Sequence, residues 1–236
     1  MAETPLRIFA PGSLWPVQAV ILAGFRREAP GVAAEFAPPA YSGVLAQQIL
    51  AGAPADVFIS ANMRYVEDLH AAGLIAAPSP LARNRLLLLA RRGLEPPMRG
   101  VADLARPGLR LVLPPAGSDP LGAYAAAMLD EAGLTAAIIA KRERGEVLET
   151  LGALREGLAS GAVDAAIVYG HMAAMFPAAE AVSLPSEQDW HDRVVFGIGA
   201  VTRAAALHPA AATFVDWMRH GEGRQILLRA GFTPLA

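Results

Sequence analysis

The sequence has no cysteine among its 236 residues, which excludes disulfides, thiolate nucleophiles and zinc–thiolate sites. Charged residues are scarce as well, at 18%, whereas hydrophobic residues make up 54%. This balance is typical of a folded chain with a large buried core and argues against a disordered one. No hydrophobic run is long enough to span a bilayer.

Common enzyme motifs are also missing. The sequence contains no GxxxxGKS/T phosphate loop, no HExxH metal motif and no GxSxG nucleophile elbow, and its histidines are scattered without ligand spacing. No enzyme activity, no cofactor and no metal-cation site are therefore expected. The formal net charge is −2, and the basic pairs Arg91-Arg92 and Lys141-Arg142 are interpreted as solvated surface pairs, so no nucleic-acid partner is expected.

Short apolar strands alternate with amphipathic helices along almost the whole chain. Strands are predicted at residues 6–10, 32–37, 56–60, 86–90, 109–113, 165–169 and 193–201. Helices are predicted at residues 14–28, 62–72, 121–132, 146–158, 209–219 and 222–230, with a further helix between Ser42 and Gly52. Such alternation predicts an α/β fold with parallel sheets covered by helices.

Three hydroxyl-bearing residues are predicted to lie at the carboxyl ends of strands. Ser13 follows the first strand, Ser42 is expected to cap the helix after the second, and Tyr169 ends the strand at 165–169. Each one alone is explained by a helix cap or a residue at a sheet edge. Together they indicate an anion site, because open α/β sheets bind ligands at this end and helix N-termini attract anions.

Four motifs carry a resemblance to a known family. They are FAPGSL from Phe9, YSGVLAQQILAGAPADVFIS from Tyr41, ARNRLLLLA from Ala82 and AIVYG from Ala166. In this order they resemble the periplasmic molybdate-binding proteins of ABC importers. The resemblance implies a type II periplasmic binding protein, an α/β fold of two lobes with a ligand cleft between them and two hinge crossings. Residues 1–83 and 197–236 would form lobe one, and residues 84–196 lobe two.

The resemblance also implies a ligand and a set of donors. Ser13, Ser42 and Tyr169 would bind molybdate or tungstate together with backbone N–H groups near Leu121 and Val147. Neutral hydroxyl and N–H donors can replace the hydration of a dianion, whereas a proton-bearing anion such as hydrogen phosphate would place a donor against donors.

The expected partner is the membrane permease of an ABC importer, and the protein is expected to be a periplasmic monomer. The first residues contain no apolar h-region of an export signal, so the periplasmic location is an expectation from the resemblance alone.

Some residues depart from the family pattern and leave two alternatives open. Gly12, Trp15, Tyr41 and His171 stand beside the expected ligand positions and are candidates for shaping the cleft. They favour, as one alternative, the same fold binding an organic anion such as a carboxylate, sulfonate or phosphonate. The other alternative is an intracellular effector-binding domain of this fold.

Overall fold

The computed structural model describes residues 4–185, 188, 190, 193–202 and 208–235. The chain divides into two compact units, each with its own five-stranded sheet. Unit one comprises Met1–Asn84 and Asp192–Ala236, and unit two comprises Arg85–His191.

The secondary structure alternates between strands and helices, as predicted. The strands are β1 (Leu6–Phe9), β2 (Ala34–Phe36), β3 (Val57–Ser60), β4 (Ser79–Asn84), β5 (Leu86–Arg91), β6 (Leu111–Val112), β7 (Val147–Leu148), β8 (Ala165–Tyr169), β9 (Ala179–Val182) and β10 (Val194–Ala200). The helices are α1 (Trp15–Glu28), α2 (Ser42–Leu50), α3 (Met63–Ala71), α4 (Pro120–Glu131), α5 (Thr135–Glu143), α6 (Leu154–Ser160), α7 (Ala211–His220) and α8 (Glu222–Arg229). Short 3-10 turns lie at Gly12–Leu14, Val101–Ala105, Leu151–Ala153 and Gly170–Met175.

The sheet of unit one has the strand order β2-β1-β3-β10-β4. β1 is parallel to β2 and β3, whereas β10 is antiparallel to both β3 and β4. All four residues of β3 are buried, as expected for an apolar strand covered on both faces. Phe25 of α1 packs edge-on against Phe214 of α7 at a ring distance of 4.9 Å, which anchors these helices in the core of the unit.

The sheet of unit two has the strand order β7-β6-β8-β5-β9. β6 is parallel to β7 and β8, and β5 is antiparallel to β8 and β9. Each unit therefore has three neighbouring parallel strands whose carboxyl ends meet at one edge.

The boundaries between the units differ slightly from those predicted from the sequence. β4 ends in the first sheet at Asn84 and β5 begins in the second at Leu86, so the first crossing lies just after the predicted one. β10 begins at Val194, which pairs with Asn84. Residues 194–196, which the sequence analysis gave to lobe two, therefore belong to unit one.

One predicted helix is wrong and three elements were missed. The segment 146–158 begins with the short strand β7, which pairs in parallel with β6, and α6 starts only at Leu154. The apolar residues of this segment have helical spacing, but its first residues form a strand because they pair with β6. β4, α5 and β9 were not predicted.

Lys141 near the end of α5 is not the solvated residue that the sequence analysis expected. Its side chain is fully buried, and its Nζ donates to the Leu109 carbonyl and to Glu146 Oε2, both at 2.8 Å. These bonds join the end of α5 to the segments that precede β6 and β7. The exposed Arg144 contacts the same Glu146 carboxylate at 3.0 Å, and the two cations together lower the pKa of Glu146 to about 2.

Replacing Lys141 with methionine is expected to lower the free energy of unfolding by about 3 kcal/mol, because it removes one partner of a buried ion pair and leaves the Leu109 carbonyl without its donor. Chemical denaturation measures this loss. Arg144→Met is the matched control, since it removes the exposed cation from the same carboxylate, and it should cost far less. If both variants lose the same free energy of unfolding, the burial of Lys141 adds nothing to the stability of the protein.

Candidate functional site

Three parallel strands of unit one end at the same edge of its sheet, and the turn after each carries polar groups. Ser13 follows β1, Ser42 begins α2 after β2, and Ala61 follows β3. Because these strands are neighbours in the order β2-β1-β3, their turns lie side by side. A ligand at this edge would meet the N-terminal ends of helices, where backbone N–H groups favour an anion.

The turn that carries Ser13 is tied to the segment before α2. Pro11 and Ala40 form a parallel bridge, and the Gly12 N–H donates to the Ala40 carbonyl at 3.2 Å. Gly12–Leu14 is a 3-10 turn that continues directly into α1, so Ser13 lies at a helix N-terminus as predicted. Ser13 is half-buried.

Ser42 lies at the N-terminus of α2 but is not its capping residue, which corrects the sequence analysis. Tyr41 occupies the cap position and Ser42 is the first helical residue. Ser42 is fully buried, and its Oγ accepts a hydrogen bond from the Ala61 N–H at 3.0 Å. A hydroxyl that accepts in this way still has its own O–H to donate, which suits it to a bound anion.

The turn that supplies the Ala61 N–H is itself held by hydrogen bonds. The Ser60 hydroxyl donates to the Asn62 carbonyl at 2.7 Å and accepts from the Asn62 N–H at 3.1 Å. The Asn62 side chain then caps α3 by accepting from the Arg64 N–H. The orientation of Ser42 therefore rests on a turn from a different strand.

The corresponding edge of unit two is formed by the carboxyl ends of β6, β7 and β8. The loop after β6 leads to α4, the segment after β7 leads to a 3-10 turn at Leu151, and β8 ends at Tyr169. Tyr169 is buried, and its ring stacks on the ring of His171 with centroids 5.9 Å apart.

Leu121, one of the predicted backbone donors, already has a partner in unit two. Its N–H donates to Oδ1 of Asp119, the capping residue of α4, at 2.9 Å. Asp119 is only 4% exposed. Its second oxygen, Oδ2, is also buried and has no hydrogen-bond partner within the part of the chain that the structure describes.

Asp119 is a candidate site residue that was not predicted from the sequence. Burial raises the pKa of its carboxyl to about 6, and the N–H groups of Leu121 and Gly122 offset part of that effect. The pattern Asp119-Pro120 is a recognisable helix start, with a cap residue followed by proline at the first helical position, so the cap itself could have been found. The candidate site thus includes an acidic side chain beside the neutral donors that were predicted.

Val147 does not lie at a helix N-terminus, contrary to the helix predicted at 146–158. It is part of β7 and pairs with Leu111. The helical segment after β7 begins instead at Leu151, and Thr150 caps it by accepting from the Gly152 N–H at 3.2 Å. A backbone donor for an anion at this edge is therefore expected at Leu151.

The four residues considered for shaping the cleft differ in exposure. Trp15 is 65% exposed and Gly12 is exposed, whereas Tyr41 and His171 are half-buried. Gly12, Trp15 and Tyr41 lie next to Ser13 or Ser42 in unit one, and His171 belongs to unit two.

Among residues 4–185, 188, 190, 193–202 and 208–235, no group of three or more His, Asp or Glu side chains is arranged to hold a metal ion. No helix in the same residues is both long enough and apolar enough to cross a membrane.

Comparison with known proteins agrees with this architecture. Residues 6–233 match the family described as bacterial extracellular solute-binding protein. The chain is 32% identical to the molybdate-binding protein ModA of Mycobacterium tuberculosis over 228 residues, which cover 95% of this chain and 83% of the relative.

Solved structures show the same fold at lower identity. The periplasmic molybdate-binding protein of Azotobacter vinelandii superposes with a TM-score of 0.78 at 20% identity, covering 98% of this chain and 100% of the other. The sulfate-binding protein SubI of Mycobacterium tuberculosis gives a TM-score of 0.76 at 19% identity, covering 99% of this chain and 88% of the other.

Two α/β units, each with helix N-termini and hydroxyl groups at the edge where three parallel strands end, define the class of type II periplasmic binding proteins. The fold class predicted from the sequence is confirmed, but both sheets are mixed and not purely parallel as the alternation of elements predicted. The chain belongs to the bacterial extracellular solute-binding protein family, whose members bind solutes for transport.

Proposed function

We propose that this protein is the solute-binding protein of an ABC importer and that it captures molybdate or tungstate. The observation that supports this most directly is Ser42, whose buried oxygen is held by the Ala61 N–H at the N-terminus of α2. The similarity to ModA covers nearly the whole chain and supports the same ligand.

Both units supply donors for the anion in this proposal. Unit one provides the hydroxyls of Ser13 and Ser42, and unit two provides the Tyr169 hydroxyl and the Leu151 N–H, with Asp119 between the anion and the Leu121 N–H. Donors at helix N-termini replace the water shell of a dianion without a lysine or arginine. Because the fold fixes the positions of these donors, they select among anions by size.

The same proposal covers the partner and the location. We infer that the loaded protein delivers the anion to the membrane permease of the importer, acts in the periplasm and is a monomer. Membership of a family of extracellular solute-binding proteins supports delivery to an importer.

Thermal unfolding with a panel of anions tests the proposal. Molybdate or tungstate at a thousand times its Kd should add about 4 kcal/mol to the free energy of unfolding, which raises Tm by about 8 to 16 °C for a chain of this size. Sulfate, which has the same charge and shape but is smaller, is the matched control and should raise Tm much less. If neither molybdate nor tungstate raises the Tm of this protein, the proposed function is wrong.

An organic anion is the second candidate ligand. It is favoured by Trp15, a large aromatic side chain that is 65% exposed two residues after Ser13. Carboxylates, sulfonates and phosphonates in the same panel separate this candidate from the first, since one of them would then give the largest rise in Tm.

A further inference from the structure

A buried acidic group lies at the start of α4, in the position where an anion donor was expected. Asp119 is only 4% exposed, and its Oδ1 accepts from the Leu121 N–H at 2.9 Å. The carboxyl group therefore occupies the positive end of the helix, where an anion at this edge of the sheet would bind.

Oδ2 of the same carboxyl is the atom that lacks a partner. It is buried, and no donor or acceptor in the described part of the chain bonds to it. Native structures rarely leave a buried polar atom unsatisfied, so an atom of this kind at a ligand-binding edge indicates that the ligand completes it. A negatively charged Oδ2 would repel an oxyanion, whereas a protonated one would donate a hydrogen bond to it.

We propose that Oδ2 of Asp119 and one oxygen of the bound anion share a proton, so that binding of a fully deprotonated oxyanion takes up one proton from solution. This inference rests on the proposed function, because it needs the anion at the N-terminus of α4. Asp119 is then a residue that determines which anions bind and at which pH.

The surroundings of Asp119 are consistent with a proton on this group. The elements packed against α4 are α5 and β8, and the loop before α4 has no other titratable side chain. The titratable groups on these elements and on α4 are Lys141, Arg142, Glu143, Tyr169, Tyr124, Asp130 and Glu131, with His171 stacked on Tyr169. Lys141 is engaged by Glu146 and Arg142 by Glu149.

The sign of the pH dependence follows from the unliganded protein, in which the pKa of Asp119 is about 6. Below that pH the carboxyl already carries its proton, so binding takes up none and affinity is flat. Above it the carboxylate must first be protonated, so the affinity falls about tenfold for each pH unit.

Isothermal titration with molybdate tests the inference on the unchanged chain. Titrations in two buffers of different ionisation enthalpy count the protons taken up. We expect about one proton per molybdate at about pH 8, and a Kd that is about fiftyfold higher than at about pH 6, where half of the carboxyl groups carry their proton.

The variant that removes the linkage is Asp119→Asn. Asparagine can still cap α4 through Oδ1, and its amide can donate to the anion at every pH. This variant should take up no proton and should bind molybdate about a hundredfold more tightly than the unchanged chain at about pH 8. Asp130→Asn, the same change at the other end of α4, is the control and should behave as the unchanged chain does.

The outcomes separate this inference from the proposed function. Tight molybdate binding by the unchanged chain with no proton uptake and a flat pH profile would overturn the role of Asp119 and leave the function intact. Failure of the unchanged chain to bind molybdate at any pH would overturn both. Because proton uptake is counted on the unchanged chain, the result stands even if Asp119→Asn does not fold.

Discussion

A chain in which Ser13 and Ser42 are both replaced by alanine is expected to bind molybdate about a hundredfold to ten-thousandfold more weakly than the unchanged chain. Each hydroxyl donates to a charged ligand in the proposed site, and a hydrogen bond to a charged group contributes about 1.5 to 3 kcal/mol. At Ser42 the substitution also removes the acceptor of the Ala61 N–H. Isothermal titration of both single variants and the double variant gives the separate and joint effects.

A serine control distinguishes loss of the site from a general effect of serine removal. Ser160 at the end of α6 lies just before the start of β8, at the edge opposite the carboxyl ends of the parallel strands. Its alanine variant should keep the molybdate affinity of the unchanged chain. If the Ser13 and Ser42 double variant also keeps it, these serines do not bind the anion and the assignment of the site is wrong.

Replacing Gly122 with alanine is expected to destabilise unit two strongly. Gly122 lies in the first turn of α4, where the loop after β6 packs directly against it. A Cβ at this position would lie 2.5 Å from the Pro114 carbonyl oxygen and would also overlap the Pro115 carbonyl. Both obstacles are backbone atoms that cannot move aside as a flexible side chain does. We expect a loss of about 3 kcal/mol.

Thermal unfolding measures this loss as a fall in Tm of about 6 to 12 °C for a chain of this size. Gly117→Ala is the matched control in the same loop, because a Cβ there would meet no heavy atom within 4 Å. It should change stability by no more than about 0.5 kcal/mol. Similar Tm values for the two variants would show that the loop can move away from α4.

The parts of the fold that the sequence predicted correctly are those determined by local patterns. Apolar strands and amphipathic helices follow from periodicity, and β1, β3 and α4 lie within a residue or two of their predicted bounds. The positions of Ser13 and Ser42 after parallel strands follow from the same alternation. The motifs around them were enough to indicate the family.

The errors arise where tertiary contacts decide the structure. β7 has only two residues and exists because it pairs with β6, which no local pattern reveals. The charged pair Lys141-Arg142 is typical of a protein surface. Lys141 is nevertheless buried, because Glu146 and the Leu109 carbonyl accept hydrogen bonds from it. The cap formed by Asp119 could be recognised from its proline neighbour, but the burial of Oδ2 depends on tertiary packing that no local pattern shows.

The hydrogen bond between Ala61 and Ser42 has a consequence for the entropy of binding. A free serine hydroxyl samples several rotamers, and a ligand that uses it must restrict that rotation. Here the Ala61 N–H holds Oγ in place before any anion arrives. The rotation of this side chain about Cα–Cβ is therefore restricted during folding, so the anion meets an oxygen whose position it does not have to fix, and only the O–H bond has to turn toward it.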